Sequence, residues 1–260
     1  MRVVSWNVGG RVRRRAEQAE RVASQDPHLV ALQEVSRATL EPWREALAAM
    51  GLEHSLAAAD WAGFPNGRRA LSVLMAARWP LQALEQPPVP WPERVLAARV
   101  QAPAPLAACV LHSPVSQRPQ LVKVRTHEAV WAYLRAASGS AWILCGDLNT
   151  PRRELRDGTV WTFARTSRGA LRPERGERWD AAELALVRGL EPFGFRDVFR
   201  ALHGYGDRQA TWTWPSDGGY RLDHLVASSQ VSVTSCAYRH DWRTDGLSDH
   251  SGLVADLTVG

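Results

Sequence analysis

The stretch Ala141-Trp142-Ile143-Leu144-Cys145-Gly146-Asp147-Leu148-Asn149-Thr150-Pro151 constrains the fold of this chain more than any other. A short apolar run bounded by turn residues is the pattern of a strand buried on both faces. Alternate residues of an extended chain point the same way, so Asp147 and Asn149 project together from the strand's end. A carboxylate and an amide then share one direction where a buried sheet meets solvent. A strand followed by an Asx-type turn has the same residues. What the rest of the chain brings to this spot decides between a turn and a site.

Similar strand-length runs recur along the chain. They fall over residues 3–8, 29–32, 71–76, 95–100, 106–111, 220–227, 231–238 and 253–259. Residues 231–238 are expected to pair with 220–227, and 95–100 with 106–111. Between them, 11–24, 36–50, 117–137 and 179–190 have helical composition, with Ser36 as the cap of the second. Asn66-Gly67 is a hairpin signal, 86–92 is proline-rich and irregular, and 152–178 reads as a long polar excursion over the surface. No linker separates domains. The expectation is one domain over 1–260, with two packed sheets and helices outside.

Composition excludes several classes. With 45% hydrophobic and 23% charged residues, the 260-residue chain is an ordinary globular protein. Cys109, Cys145 and Cys236 lie far apart in apolar surroundings, which leaves neither a disulfide framework nor a thiolate zinc site. The opening apolar stretch is too short for a signal peptide, and nothing approaches the ~18 apolar residues of a membrane span. A soluble, monomeric protein in the reducing cytoplasm, without membrane contact, is expected. The net charge of +5 favours a polyanionic partner. Lys123 is the only lysine, so the positive charge is almost all arginine. Arginine suits bidentate phosphate contact, though genomic base bias produces the same composition.

Chemically loaded residues accompany these runs: Asn7, Glu34, His112, Asp147 with Asn149, Asp223 with His224, and Asp249 with His250. Each has a plain structural explanation alone, as a turn cap, a solvated strand end or a satisfied histidine. Six such strands in one chain are hard to attribute to loop chemistry.

The series Ser5-Trp6-Asn7-Val8, Leu32-Gln33-Glu34, Gly146-Asp147-Leu148-Asn149, Tyr220-Arg221-Leu222-Asp223 and Ser248-Asp249-His250 resembles the endonuclease/exonuclease/phosphatase superfamily, in order and spacing across essentially the full length. The resemblance implies an α/β (α+β) fold, a four-layer αββα sandwich of two mixed sheets with the active site at their top. It implies phosphate-ester hydrolysis with Mg²⁺ or Mn²⁺ held by Glu34 and Asp249, oriented by Asn7. Asp147 would position or deprotonate the attacking water, Asn149 would bind the phosphate, and Asp223 would hold His250 in its cationic form. A hard divalent cation with few protein oxygens keeps positions for water and phosphate, which agrees with that set.

The last third is similar to the exonuclease III and abasic-site endonuclease group, in Gly194-Phe195-Arg196-Asp197-Val198-Phe199-Arg200 and in Thr211-Trp212-Thr213-Trp214 before Tyr220. There, aromatics at the Trp212 and Tyr220 positions wall a pocket for a sugar lacking its base; packing is the competing role. Two residues depart from that group. His112-Ser113-Pro114 looks like the DNase I type, where the histidine contacts phosphate or protonates the leaving group, and Gly9 stands where the repair enzymes often carry Asn or Asp. His224 has no assigned role.

The resulting expectation is a divalent-metal-dependent phosphodiesterase that cuts DNA. A phosphatase or phosphodiesterase acting on a lipid, sugar phosphate or nucleotide is the alternative within the same fold. Backbone phosphates would be met by Arg13, Arg14 and Arg15, by Arg68 and Arg69, and by the arginines of 165–178.

Overall fold

The structure is a computed structural model that describes residues 1–66, 70–115, 121–214 and 218–260. In chain order its first half comprises β1 (Arg2–Asn7), α1 (Arg15–Ala23), β2 (Leu29–Ser36), α2 (Leu40–Ala49), β3 (His54–Ala57), α3 (Ala59–Ala62), β4 (Leu71–Ala77), β5 (Leu81–Ala83), β6 (Val95–Val100) and β7 (Leu106–His112). There follow α4 (Val122–Ala136), β8 (Trp142–Asp147), β9 (Arg153–Glu154), β10 (Val160–Trp161), α5 (Gly176–Val187), β11 (Phe195–Asp197) and α6 (Val198–His203). The chain closes with β12 (Trp212–Thr213), β13 (Gly219–Tyr220), β14 (Asp223–Ser228), β15 (Val231–Arg239), α7 (His240–Thr244) and β16 (Gly252–Val259).

Two six-stranded mixed sheets form, in the orders β15-β16-β1-β2-β4-β3 and β11-β14-β8-β7-β6-β5. Successive side chains of a strand face opposite ways, and here both faces are covered. Val3, Leu29, Ala31, Val110, Ile143, Cys145 and Leu225 point into one core between the sheets. Their sequence neighbours Val4, Val30 and Leu32 pack outward under Ala19 and Val22 of α1 and Trp43 and Leu47 of α2. On the other sheet Cys109, Leu111 and Leu144 pack outward under Val130 and Leu134 of α4 and Leu186 of α5. That double covering is why the strands read as unbroken apolar runs. The layers run helix, sheet, sheet, helix, as the resemblance implied.

Several local expectations change. Residues 231–238 do not pair with the strand before them: β14 already has β11 and β8 on its two edges, and β15 crosses to the other sheet to pair with β16. Ser36 does not cap α2, because β2 continues through Ser36 and the helix begins only after Thr39. The expected strand over 220–227 is two, broken at Arg221 and Leu222. The 152–178 segment is more than a surface excursion, since Val160, Thr162 and Ala164 are buried and β9 pairs with β10. Gly67 of the expected hairpin, and 117–120 at the expected start of α4, lie outside the described residues. Among the described residues no helix is long and apolar enough to cross a membrane.

Candidate active site

Strand direction brings the loaded residues together. β1 and β2 are parallel, as are β7 and β8, so their C-terminal ends deliver Asn7, His112 and Asp147 to one edge of the sandwich, with Glu34 near the end of β2. β14 and β16 run antiparallel to β8 and β1, so their starts lie at that same edge. Asp223 therefore opens β14, directly opposite Asp147, while Asp249 and His250 immediately precede β16. His112 is the register partner of Asp147 on its other side.

Backbone irregularities aim individual groups. The β2–β4 register shifts between Leu32 and Val35, and Glu34 within that bulge has φ +58°. A bulge re-aims a side chain, here turning Glu34 into the cleft. Asn149 has φ +50°. Each such non-glycine residue costs of order 1–3 kcal/mol, comparable to the roughly 1.5–3 kcal/mol from one fully buried Leu or Val, so the core between the sheets holds both easily. Gly146 is needed where it stands. It has φ +132°, and a Cβ there would lie 2.1 Å from the carbonyl oxygen of Leu111 in the parallel strand β7.

Asp147 is 2% exposed and is the hub. Its Oδ2 accepts from Asn7 Nδ2 at 3.0 Å and its Oδ1 accepts from the Asn149 backbone N–H at 2.9 Å. His250 Nε2 lies 3.8 Å away. Burial pushes the Asp147 carboxyl up to about 7; His250 opposes the rise and Asp223 adds to it. His250 Nδ1 is 2.9 Å from Asp223 Oδ2. Burial works against a charged imidazole, but Asp223 and Asp147 outweigh it and raise His250 to about 10. Asp147, Asp223 and His250 offer possible metal-ligand atoms within 4.8 Å of one another. An imidazolium has no lone pair to give, so a proton on His250 holds this trio together without a cation.

His112 is held neutral: burial, then Arg94 and His250, push it well below its ordinary value. Arginine only donates, so Nδ1, 3.2 Å from Arg94 Nη1, is assigned as the acceptor. The ring proton then sits on Nε2, 3.3 Å from Glu34 Oε1. Asn7 Nδ2 also donates to Glu34 at 3.3 Å, while its Oδ1 accepts from Gly9 N–H at 3.0 Å. Gly9 has φ +63°, and a Cβ on it would stand 2.9 Å from Asp249 Oδ1. Glycine at this position thus leaves room for Asp249, whose side chain is about half exposed.

Glu34 and Asp249 sit where two clefts meet. One, about 590 Å³, is lined also by His112, Asp147, Asn149 and His250, by Arg152, Arg172 and Arg175, and by Phe163, Trp212, Trp214 and Tyr220. The other, about 540 Å³, is lined by both carboxylates together with Gly9, Gly10, Arg11 and Arg37. Trp212 donates from Nε1 to Asp249 Oδ2 at 3.3 Å. Tyr220 lies parallel to Trp212 at 6.1 Å and packs edge-on to Trp214 and Phe163.

Of the residues singled out by sequence, Asn7, Glu34, His112, Asp147, Asn149, Asp223, Asp249, His250, Trp212 and Tyr220 are thus brought to this one edge. Arg14 is not among the cleft residues; its guanidinium is held by Glu17 at 2.8 Å. Arg68 and Arg69 lie outside the described residues. His224 faces away from the cleft: its Nδ1 is 2.8 Å from Asp197 Oδ2 and its Nε2 is 2.8 Å from the Thr150 carbonyl. Asp197 also holds Arg221, which with Arg200 clamps Glu154.

Sequence reasoning missed the props. Lys123 is 1% exposed and donates to the Asn149 carbonyl at 2.6 Å and to Glu183 Oε1 at 2.7 Å. Glu183 also accepts from Trp179 Nε1, Thr150 Oγ1 and the Phe163 N–H. Being the only lysine was a usable signal. Nothing in the sequence marked Glu183, Arg94, or the three cleft arginines apart from their neighbours.

The chain matches the model of the Endonuclease/Exonuclease/phosphatase family over residues 4–250. No curated protein matches it by sequence. Among solved structures it is similar to an endonuclease/exonuclease/phosphatase from Beutenbergia cavernae, with 18% identity, covering 100% of this chain and 72% of that one at a TM-score of 0.72. The 3′ phosphatase NExo from Neisseria, bound to a product DNA hairpin, has 17% identity, 99% coverage of both chains and a TM-score of 0.69. An AP endonuclease from Archaeoglobus fulgidus has 17% identity, 100% coverage of both and a TM-score of 0.69. With its sandwich, its strand-end constellation and a family match that takes in every carboxylate and imidazole of the cleft, the chain belongs to the endonuclease/exonuclease/phosphatase family.

Proposed function

We propose that this protein is a divalent-metal-dependent phosphodiesterase that hydrolyses DNA. The observation that carries the reading is the meeting of two clefts at Glu34 and Asp249. A site at the dead end of one pocket suits a small phosphoester, whereas a centre open on two sides, with arginines in both clefts, suits a strand that passes through. The DNA hairpin of the Neisseria phosphatase and the activity named for the Archaeoglobus enzyme support the same substrate class.

The donor set fits a hard cation. Glu34 and Asp249 present carboxylate oxygens to a shared cleft, and Asn7 fixes the orientation of the first. Bound there, Mg²⁺ or Mn²⁺ supplies neutralisation of phosphate charge. The chain's own residues do the rest. Asp147, held by Asn7 and Asn149, orients a water and takes its proton as the water oxygen bonds to phosphorus and the opposite phosphorus–oxygen bond breaks. Asn149 commits one Nδ2 hydrogen to the Ser113 carbonyl at 2.7 Å. The other, only loosely held by Asp147 at 3.3 Å, is free to turn to a phosphate oxygen. His250, kept cationic by Asp223, and the Nε2–H of His112 face the negative charge that grows on those oxygens.

The test is a panel of abasic duplex, intact duplex, single strand and small phosphoesters with Mg²⁺, Mn²⁺ and EDTA. Metal-dependent cleavage of at least one DNA substrate is expected. Hydrolysis of small phosphoesters with every DNA left intact would move the protein to the phosphatase side of the family.

A further inference from the structure

Some arginines of the 150–178 segment have partners of their own, and three others line the cleft. Arg165 is spent on Asp180, Arg178 on Glu128 at 2.8 Å through both nitrogens, and Arg153 lies over the Trp161 ring. Arg152, Arg172 and Arg175 instead converge on the cleft that holds Asp147 and His250. Their positive charge is poorly matched. Among the described residues Arg172 pairs only with Glu174, at 3.7 Å, and its buried Nε has no hydrogen-bond partner. Arg175 rests on the face of Trp179, and its buried Nη1 has no hydrogen-bond partner among the described residues. Arg152 has no side-chain partner among the described residues. Burial, with repulsion from Arg172 and Arg152 and against attraction from Glu183, lowers the pKa of Arg175. Three like charges brought together, two with unsatisfied buried N–H groups, are costly unless an anion completes them.

We infer that Arg152, Arg172 and Arg175 form a binding site for a second phosphate of the substrate, flanking the phosphate that reacts at Asp147 and His250. The inference rests on the reading of this cleft as a phosphoester site. Guanidinium forks match the oxygens of a phosphate in pairs. The cleft's aromatic side chains Tyr220, Trp214 and Phe163 line the same space, so an apolar body carrying the two phosphates has a surface to rest on. That second phosphate comes from the next phosphodiester of a strand or from a terminal phosphate on a small molecule.

Binding without metal separates this inference from the proposed chemistry. In EDTA, the wild-type protein is titrated with thymidine 3′,5′-bisphosphate and with thymidine 5′-monophosphate. The bisphosphate should bind about tenfold tighter or more, as charged hydrogen bonds to one extra phosphate imply. In R172Q/R175Q the preference should fall close to one. In R172K/R175K it should recover in part, because charge returns without the fork. Should the double variant not fold, R152Q, which alters a loop residue, must lower the preference at least threefold. Equal affinity of the wild type for the two ligands, or a preference that survives these substitutions, overturns the site. A pentathymidylate titrated against salt then identifies the source. A log–log slope smaller by about 0.7 for each lost contact in the variant marks a strand phosphate; an unchanged slope with the bisphosphate preference lost marks a terminal one. Failure of all hydrolysis with Mg²⁺ and Mn²⁺ would remove the proposed reaction and leave these affinities to decide the site alone.

Discussion

Two residues test the chemistry most directly. Asp147→Asn keeps the bond from the Asn149 N–H but loses the one from Asn7 Nδ2 and removes the proposed base. Hydrolysis should fall by about 10²–10⁴, the usual range for a lost general base, while DNA affinity measured in EDTA stays within a few-fold. Loss of binding together with activity would assign Asp147 a structural part. Gly9→Ala probes the other carboxylate. Its Cβ would stand 2.9 Å from Asp249 Oδ1, and the left-handed backbone costs about 1–2 kcal/mol. The expected result is a higher metal concentration for half-maximal activity with a small drop in Tm. A metal titration that superimposes on the wild type would count against Asp249 as a ligand. The notable point about Gly9 is that an apparent omission in the sequence is a fit in the structure.

At the scale of elements, the edge that carries the candidate site depends on how loops are tied down. Trp6 donates from Nε1 to the His250 carbonyl, and Ser248 Oγ donates to the Asn7 carbonyl, so β1 holds the loop that carries Asp249. Gln18 of α1 donates to the carbonyls of both Val8 and Leu247. On the other sheet Lys123 of α4 and Glu183 of α5 fasten the Asn149–Thr150 turn. Burial alone would raise the Glu183 carboxyl, but the charge and hydrogen bond of Lys123, with the Phe163 N–H, outweigh it and hold the group below its ordinary value. Lys123→Met leaves that carboxylate buried without its cation, which costs about 3–5 kcal/mol. Urea denaturation should show the loss, and kcat should fall with it. In contrast, Lys123→Met/Glu183→Gln should recover part of the stability, because no lone charge is left buried and the amide oxygen can still accept from Thr150 Oγ1 and the Phe163 N–H, without restoring kcat, because the Asn149 carbonyl still lacks its donor. Full recovery of kcat in the double variant would remove Lys123 as a positioning residue.

The whole molecule should be sensitive to acid. Glu154 is buried, which alone would raise its carboxyl, but Arg221 and Arg200 hold it at about 2. A depressed carboxylate stabilises the fold above its unfolded value near 4.3, and that stability is lost as pH falls toward 2. His127 is fully buried between Ser113 Oγ and the Ala182 carbonyl, and burial, with Lys123, lowers it to about 3. The folded protein keeps this ring neutral while the unfolded chain takes up a proton near 6.5. Its contribution is therefore full above about 6.5 and lost as pH falls toward 3. Urea unfolding free energies should decline from pH 7 to pH 3. In His127→Gln the part of the slope between pH 6.5 and 4.5 should flatten; an unaltered slope there would mean that His127 is not the group responsible.

The order of the fold and most of the candidate site were legible because they are written in local patterns. Unbroken apolar runs demand sheets covered on both faces, and Asp147-Leu148-Asn149 at the end of such a run aims two polar groups one way whatever lies around it. What was not legible depends on residues far apart in the chain. β15 joins β16 because both edges of β14 are taken, which no property of 231–238 alone reveals. His224 turns from the cleft because it follows Asp223 on a strand, and only the assembled fold brings Asp197 and the Thr150 carbonyl to it. The excursion's arginines are alike in sequence, and only packing spends Arg165 and Arg178 on carboxylates while leaving Arg152, Arg172 and Arg175 at the cleft. Local periodicity decides which way a side chain faces; only the assembled layers decide what charge it meets there.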